Sequence, residues 1–180
     1  MMYRFILDED DYLSHQLFTA SGSANHRKTM IRTWLMGVLF FLIISLVSYL
    51  SDYTKLTNYV LIMAAVFFVY FPLRYPSFVK RSYQKHLREH YKNKFGVASE
   101  VEFKEGFLIC NSNGMESKIK LSEFEEVNET ATHILVKVRS GESLIVPKAM
   151  DDIEQFKQEL VGNLEGYHIP WHKKLDWKWN

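Results

Sequence analysis

Two uncharged runs constrain this chain more than any other feature: WLMGVLFFLIISLVSYLS at residues 34–51 and LTNYVLIMAAVFFVYFPL at residues 56–73. Each reaches the ~18 residues expected of a membrane span and, at ~1.5 Å per residue, crosses most of a hydrocarbon core of ~30 Å. A soluble helical hairpin, the alternative for runs near the short end of the span range, carries a polar face on each helix, with polar residues every third or fourth position. Neither run has one. The spacing predicts a transmembrane hairpin over residues 31–75, turning at SDYTK.

The flanks give the orientation. Arg27, Lys28 and Arg32 precede the first run and Arg74, Lys80, Arg81, Lys85, Arg88, Lys92 and Lys94 follow the second, whereas the turn carries only Asp52 and Lys55. Basic residues stay on the cytoplasmic side, which predicts a multi-pass protein of the cell (plasma or inner) membrane with both termini in the cytoplasm. Aromatic residues stand where interfacial belts belong: Trp34, Tyr70 and Tyr75 toward the inner boundary, Tyr49, Tyr53 and Tyr59 toward the outer. The N-terminus, MMYRFILDEDDY, lacks the basic start and apolar stretch of a cleavable signal peptide. Transporters and voltage sensors place ionisable groups or broken helices at membrane depth. These runs hold nothing more polar there than Ser45 and Ser48, with Gly37, Ala64 and Ala65 as small residues for close helix approach. That argues for an anchor, with homo-oligomerisation open, rather than a pore.

After Pro76, Val79, Tyr83, Leu87, Tyr91 and Phe95 recur every fourth residue, an apolar stripe on a basic juxtamembrane helix over residues 76–96 that stops at Gly96. The helix extends the second span or lies on anionic lipid. Inside it, HLREH matches the His-x-x-Glu-His pattern of inverted zinc peptidases, with His86 and His90 as ligands and Glu89 as base. A zinc-dependent hydrolase is therefore the rival functional class. Lys85, Arg88 and Lys92 crowd that position with positive charge, and two solvated histidines on a basic face are the reading the surroundings favour over a metal site. The single cysteine, Cys110, excludes a disulfide framework and a cysteine metal cluster. No cofactor is implied.

From Glu100 the pattern changes to short strands. Gly106 marks a first bend, residues 111–114 a hairpin turn and residues 140–142 another, with strands near 124–127, 133–138 and 143–146. A closing helix follows, with Asp151 near its cap and Ile153, Phe156, Leu160 and Leu164 along one face. The domain is an antiparallel meander rolled up with a helix across one end, and the strand at residues 3–7 joins its edge so that its backbone groups are paired. Glu123, Glu125, Glu126 and Glu129 cluster, as do Asp151 and Asp152, whereas Lys118, Lys120 and Lys137 are scattered. That balance disfavours anionic headgroups and nucleic acid as partners of the domain. Its acidic surface suits the basic helix or a basic protein partner. Trp171, Trp177 and Trp179 among Lys173, Lys174 and Lys178 make a tail fit for the membrane interface, for packing on the roll, or for partial disorder.

The order of these parts resembles the YcxB-like small bacterial membrane proteins. FILDEDDYL is similar to their opening strand and acidic Asp-Tyr motif, GFLI and SKIKLSEFEEV to their strand–hairpin segment, and SLIVPKAM with IEQFKQEL to their last strand, Ile-Pro-Lys corner and closing helix. Leu121 stands where a Trp is common in such proteins. The resemblance implies a pleckstrin-homology-like roll and carries no catalytic motif. The fold class expected is thus an α+β membrane protein: a two-helix transmembrane hairpin and a small cytoplasmic antiparallel β-roll closed by a C-terminal helix. Its segments are a strand and amphipathic stretch at 1–30, the hairpin at 31–75, the basic helix at 76–96, the roll at 97–165 and the tail at 166–180. The function expected is a membrane-anchored binding or scaffold module for a protein partner at the cytoplasmic face, or a structural accessory subunit of a membrane complex.

Overall fold

The computed structural model describes residues 1–179, apart from the side chain of Ala24. The chain runs β1 (Met2–Ile6), α1 (Glu9–Gly22), α2 (Ala24–Leu50), α3 (Thr54–His90), β2 (Ala98–Lys104), β3 (Phe107–Ser112), β4 (Met115–Lys120), β5 (Phe124–Thr130), β6 (His133–Val138), β7 (Ser143–Pro147), α4 (Ile153–Leu164) and β8 (Trp171–Lys174). This is the expected α+β class: two long apolar helices, then antiparallel strands and a C-terminal helix. The chain divides into two compact units, one of residues 1–16 with 84–178, the other of residues 17–83 with Trp179.

The β-rich unit holds two four-stranded sheets, ordered β1-β2-β3-β4 and β7-β6-β5-β8. Two turns set the register of the first. Glu105-Gly106 and Asn113-Gly114 each have positive φ at both residues and join strands that pair at Lys104↔Phe107 and Ser112↔Met115. Those backbone angles match the twist of a two-residue hairpin, and glycine adopts the second of them without strain. Strand β1 lies antiparallel to β2, Tyr3 opposite Val101, and so closes the sheet with residues from the other end of the hairpin. The core gathers around Phe156 of α4, with Tyr3 edge-on at 5.2 Å and Phe103 at 5.6 Å. Val101, Leu108, Leu121, Phe124, Val127, Ile134, Val136 and Val146 are all buried. Leu121, at the corner where a Trp was noted as common, is 1% exposed, and its N–H donates to the Gly106 carbonyl at 3.0 Å.

Two boundaries differ from the sequence reading. The basic helix is not a separate element and does not reach Gly96: α3 runs unbroken through Pro72 and Pro76 and stops at His90. A 3-10 turn at Lys92–Lys94 follows, and Gly96, at φ +71, turns the chain so that its N–H donates to the Leu7 carbonyl at 2.9 Å. The hydrophobic stripe continued past the helix because Tyr91 and Phe95 pack against Tyr12 of α1. The stretch read as a tail also contributes a strand, because β8 joins the second sheet beside β5, while β1 joins the first.

In the helical unit, Ser51, Asp52 and Tyr53 donate their N–H groups to the carbonyls of Val47, Tyr49 and Ser48, closing a tight turn with Asp52 at φ +61. Only 6% and 11% of the apolar windows of α2 and α3 are buried. Core helices of a soluble protein are mostly buried; these present their apolar residues outward, the property of membrane-spanning helices. The two helices suit association with a membrane.

Candidate functional site

The spans meet through their small and hydroxyl residues. Ser45, Ser48, Thr57 and Ala64 are buried, as expected where lipid offers no hydrophobic drive and close backbone approach does the packing. At Gly37 a Cβ would stand 2.5 Å from the Phe67 ring, so only glycine leaves that ring its place.

Trp34 does more than stand at a boundary. Pro72 has no N–H, so the carbonyl four residues back, that of Phe68, lacks its helical donor. The Trp34 indole N–H donates to that carbonyl at 3.2 Å, and its ring lies on the Phe68 ring with centroids 4.7 Å apart. A donor from the neighbouring helix at a carbonyl that its own helix leaves unpaired ties the two helices together. Proline with a Trp across the hairpin carries this signal in the sequence, but only once the two helices are registered. Tyr49, Tyr53, Tyr59 and Tyr70 are exposed, and Tyr75 stacks near Phe71 and His26. Trp179 joins that cluster, its ring beside His26 and its indole N–H donated to the Pro76 carbonyl at 2.9 Å.

Trp171 has a different place. It lies in β8, which pairs in parallel with β5, Val127 opposite Trp171, and its indole N–H donates to Glu129 Oε2 at 3.0 Å. The packed-tail alternative describes this residue. Trp177 is half-buried.

All six juxtamembrane cations are exposed. Arg88 donates from Nε to both carboxylate oxygens of Glu9 on α1 at 2.9 Å, Lys85 lies 3.8 Å from Glu89, and Lys94 sits over the Tyr91 ring. His86 and His90 stack with ring centroids 4.4 Å apart, His90 Nδ1 lying 3.1 Å from the His86 carbonyl. Glu89 thus faces a lysine on an open helix surface, and among the described residues no three His, Cys, Asp or Glu side chains are grouped to hold a metal ion.

The acidic cluster is not one surface. Glu129 is 4% exposed, with Lys157 and Lys148 at 2.8 and 2.9 Å from Oε1 and Trp171 on Oε2. Burial pushes its carboxyl up, but the hydrogen bonds from Lys157, Lys148 and Trp171 and the charge of Lys148 outweigh that and bring it down to about 2. Glu125 pairs with Lys137 at 2.8 Å, and Glu126 lies 3.7 Å from His172. Sequence spacing grouped these glutamates; a register shift in β5 between Phe124 and Glu126, and strand alternation beyond it, separate them.

One open site of this unit is a cleft of about 520 Å³. On the inner face of the first sheet it is lined by the small side chains of Ser99, Ser112, Ser117 and Cys110, with the larger Met115 and Ile119 beside them. Phe5, Val101 and Ile145 supply apolar lining, and Tyr12, Gln16 and Lys94 polar groups. Burial pushes the Cys110 thiol up to about 11, so at neutral pH it is a thiol and a poor nucleophile. Beside the cleft, His133 is held by Asp11 at Nε2 (2.7 Å) and by the Thr132 hydroxyl at Nδ1 (2.8 Å), which ties the start of α1 to β6. Neither the cleft nor this clasp was legible in the sequence, since both depend on which strands become neighbours.

No curated protein and no solved structure matches the chain. The family model described as YcxB-like protein matches residues 103–160, from β2 to the last turn of α4. Over that segment, which holds the hairpins and the closing helix on which the resemblance was read, the chain is similar to YcxB-like proteins.

Proposed function

We propose that this protein is a membrane-anchored binding module: a two-span anchor in the cell membrane, both termini cytoplasmic, carrying a pleckstrin-homology-like roll that engages a protein partner at the inner face. The observation that carries the reading is the pairing of β1 with β2. These strands flank the hairpin in sequence, so a pair formed between them requires the chain to cross the bilayer an even number of times in between. Two spans satisfy that, and the cationic flanks favour the cytoplasmic side. Two antiparallel sheets with a helix packed into the core support a roll of the pleckstrin-homology kind. The cleft, apolar within and hydroxyl-lined, suits a protein side chain or peptide better than a phosphorylated headgroup, for which a single lysine is too little charge.

The test places single cysteines at Ser51 and Glu154 in a Cys110→Ser background, both positions being exposed. An impermeant reagent on intact cells labels Ser51→Cys alone in this reading. Labelling of Glu154→Cys before lysis inverts the topology and removes the cytoplasmic module. A photo-crosslinker at Ser99 in the cleft, compared with one at Glu154, then reads the partner: an adduct specific to Ser99 is expected.

A further inference from the structure

Strand β4 reads MESKIK and forms an outer edge of the first sheet. Five of its six residues are exposed, Met115 at 65%. Natural proteins guard such edges with proline, bulges or repelling charge, because the free N–H and C=O groups invite another strand. Here the strand pairs with β3 in unbroken register over its full length. Its charges are mixed in sign: Glu116, Lys118 and Lys120 on one face, with Met115, Ser117 and Ile119 on the other. Among the described residues no ion pair reaches Glu116 or Lys120, and the Lys118 ammonium lies over the Phe107 ring at 4.1 Å.

The direction of the free backbone groups follows from the turn. A two-residue hairpin closes on a hydrogen-bonded pair, here Ser112 and Met115. Met115, Ser117 and Ile119 therefore bond toward β3, and the N–H and C=O groups of Glu116, Lys118 and Lys120 point to the open edge.

We propose that β4 is a self-association edge, on which two copies of this chain pair antiparallel about Ser117 and join two four-stranded sheets into one. In that register Glu116 lies opposite Lys118 of the second copy, and Lys118 opposite its Glu116. The backbone groups of these residues exchange hydrogen bonds. On the other face Met115 meets Ile119 of the second copy, twice by the two-fold axis, which gives the exposed Met115 an apolar neighbour. Neighbouring registers are disfavoured. Centring the pair on Glu116 sets glutamate against glutamate, and centring it on Lys118 sets lysine against lysine. A one-residue slip turns Met115 and Ile119 onto the charged face. The charges that would block an arbitrary strand thus select a second β4 in one alignment. Met115, Ser117 and Ile119 also line the cleft, but the pairing rests on the free backbone groups and charges of the edge and not on what the cleft binds.

The test uses the full-length Cys110→Ser protein in a mild detergent, with single cysteines at Ser117 or Lys120. In the proposed register the two Cα atoms at position 117 form a non-hydrogen-bonded pair ~4.5 Å apart, within disulfide reach, whereas the two at position 120 stand ~20 Å apart. Oxidation is expected to give a disulfide dimer for Ser117→Cys and not for Lys120→Cys. Adding Glu116→Lys is expected to abolish that dimer, and Glu116→Lys with Lys118→Glu to restore it. No dimer at Ser117, equal cross-linking at both positions, a dimer indifferent to Glu116→Lys, or a charge swap that fails to restore it overturns the proposal. A foreign strand as the occupant of β4 gives the first of these outcomes.

Discussion

Glu129 shows how much one buried carboxylate decides in the β-rich unit. Two lysines and the Trp171 indole converge on it, and they link β5, α4, the chain after β7, and β8. Glu129→Gln leaves both ammonium groups with a weaker acceptor. Because the lysines reach solvent at one side, the expected cost is about 2 kcal/mol, below that of a fully enclosed pair. The check is thermal unfolding of the detergent-solubilised protein. The pH dependence has a definite sign. The folded carboxyl titrates at about 2 against an ordinary value of 4.5, so its contribution is present above about pH 4.5 and is lost as pH falls toward 2. The variant should unfold with a shallower dependence on pH across that window; an unchanged slope would remove Glu129 from this role. Nothing in the run FEEVNET marks which of its glutamates is internal. The answer depends on the register shift at Phe124/Glu126 and on a tail strand some forty residues away.

At the scale of elements, the hairpin helices were the most legible part of the chain. Uncharged runs of that length leave few alternatives, and the Asn-Gly and Glu-Gly turns announce their strands through a backbone angle that glycine adopts freely. Helix ends were less legible. The apolar stripe toward Phe95 outlived α3, since packing against α1 uses the same residue types as a helix face. Trp34 and Pro72 carry a prediction of their own. Trp34→Phe keeps an aromatic ring on Phe68 but withdraws the indole N–H, and should weaken the hairpin by about 1–2 kcal/mol. In a Pro72→Ala background the helix supplies Phe68 with its own donor, and the same substitution should then cost little. Reversible unfolding of the four proteins in mixed micelles measures the coupling, and additive effects would contradict the arrangement. Gly37→Leu is expected to destabilise the hairpin by driving the Phe67 ring from its place.

At the scale of the molecule, the β-rich unit is assembled from both ends of the chain, and the sequence anticipated this from the need to pair an early strand. It did not anticipate β8, because a tail rich in Trp and Lys reads as readily for a membrane surface as for a sheet edge. If a protease site is inserted between Ser51 and Lys55 and cut, the two fragments should co-purify from detergent, since β1 and β2 remain paired and Tyr3 holds Glu159 at 2.5 Å. Tyr3→Ala, which removes a ring only 1% exposed, should let them separate by costing about 3–5 kcal/mol.

The same strand has a consequence for biosynthesis. In the proposed topology β1 leaves the ribosome before its mate, which emerges only after both apolar runs have been handed to the insertion machinery. A chain in which one run failed to insert would leave β1 and β2 on opposite sides of the bilayer, with Tyr3 and Phe5 lacking a core to enter and the edge of β2 bare. In that topology, completion of the sheet certifies that the hairpin has been threaded correctly, and a misthreaded chain would be left unfolded and open to degradation.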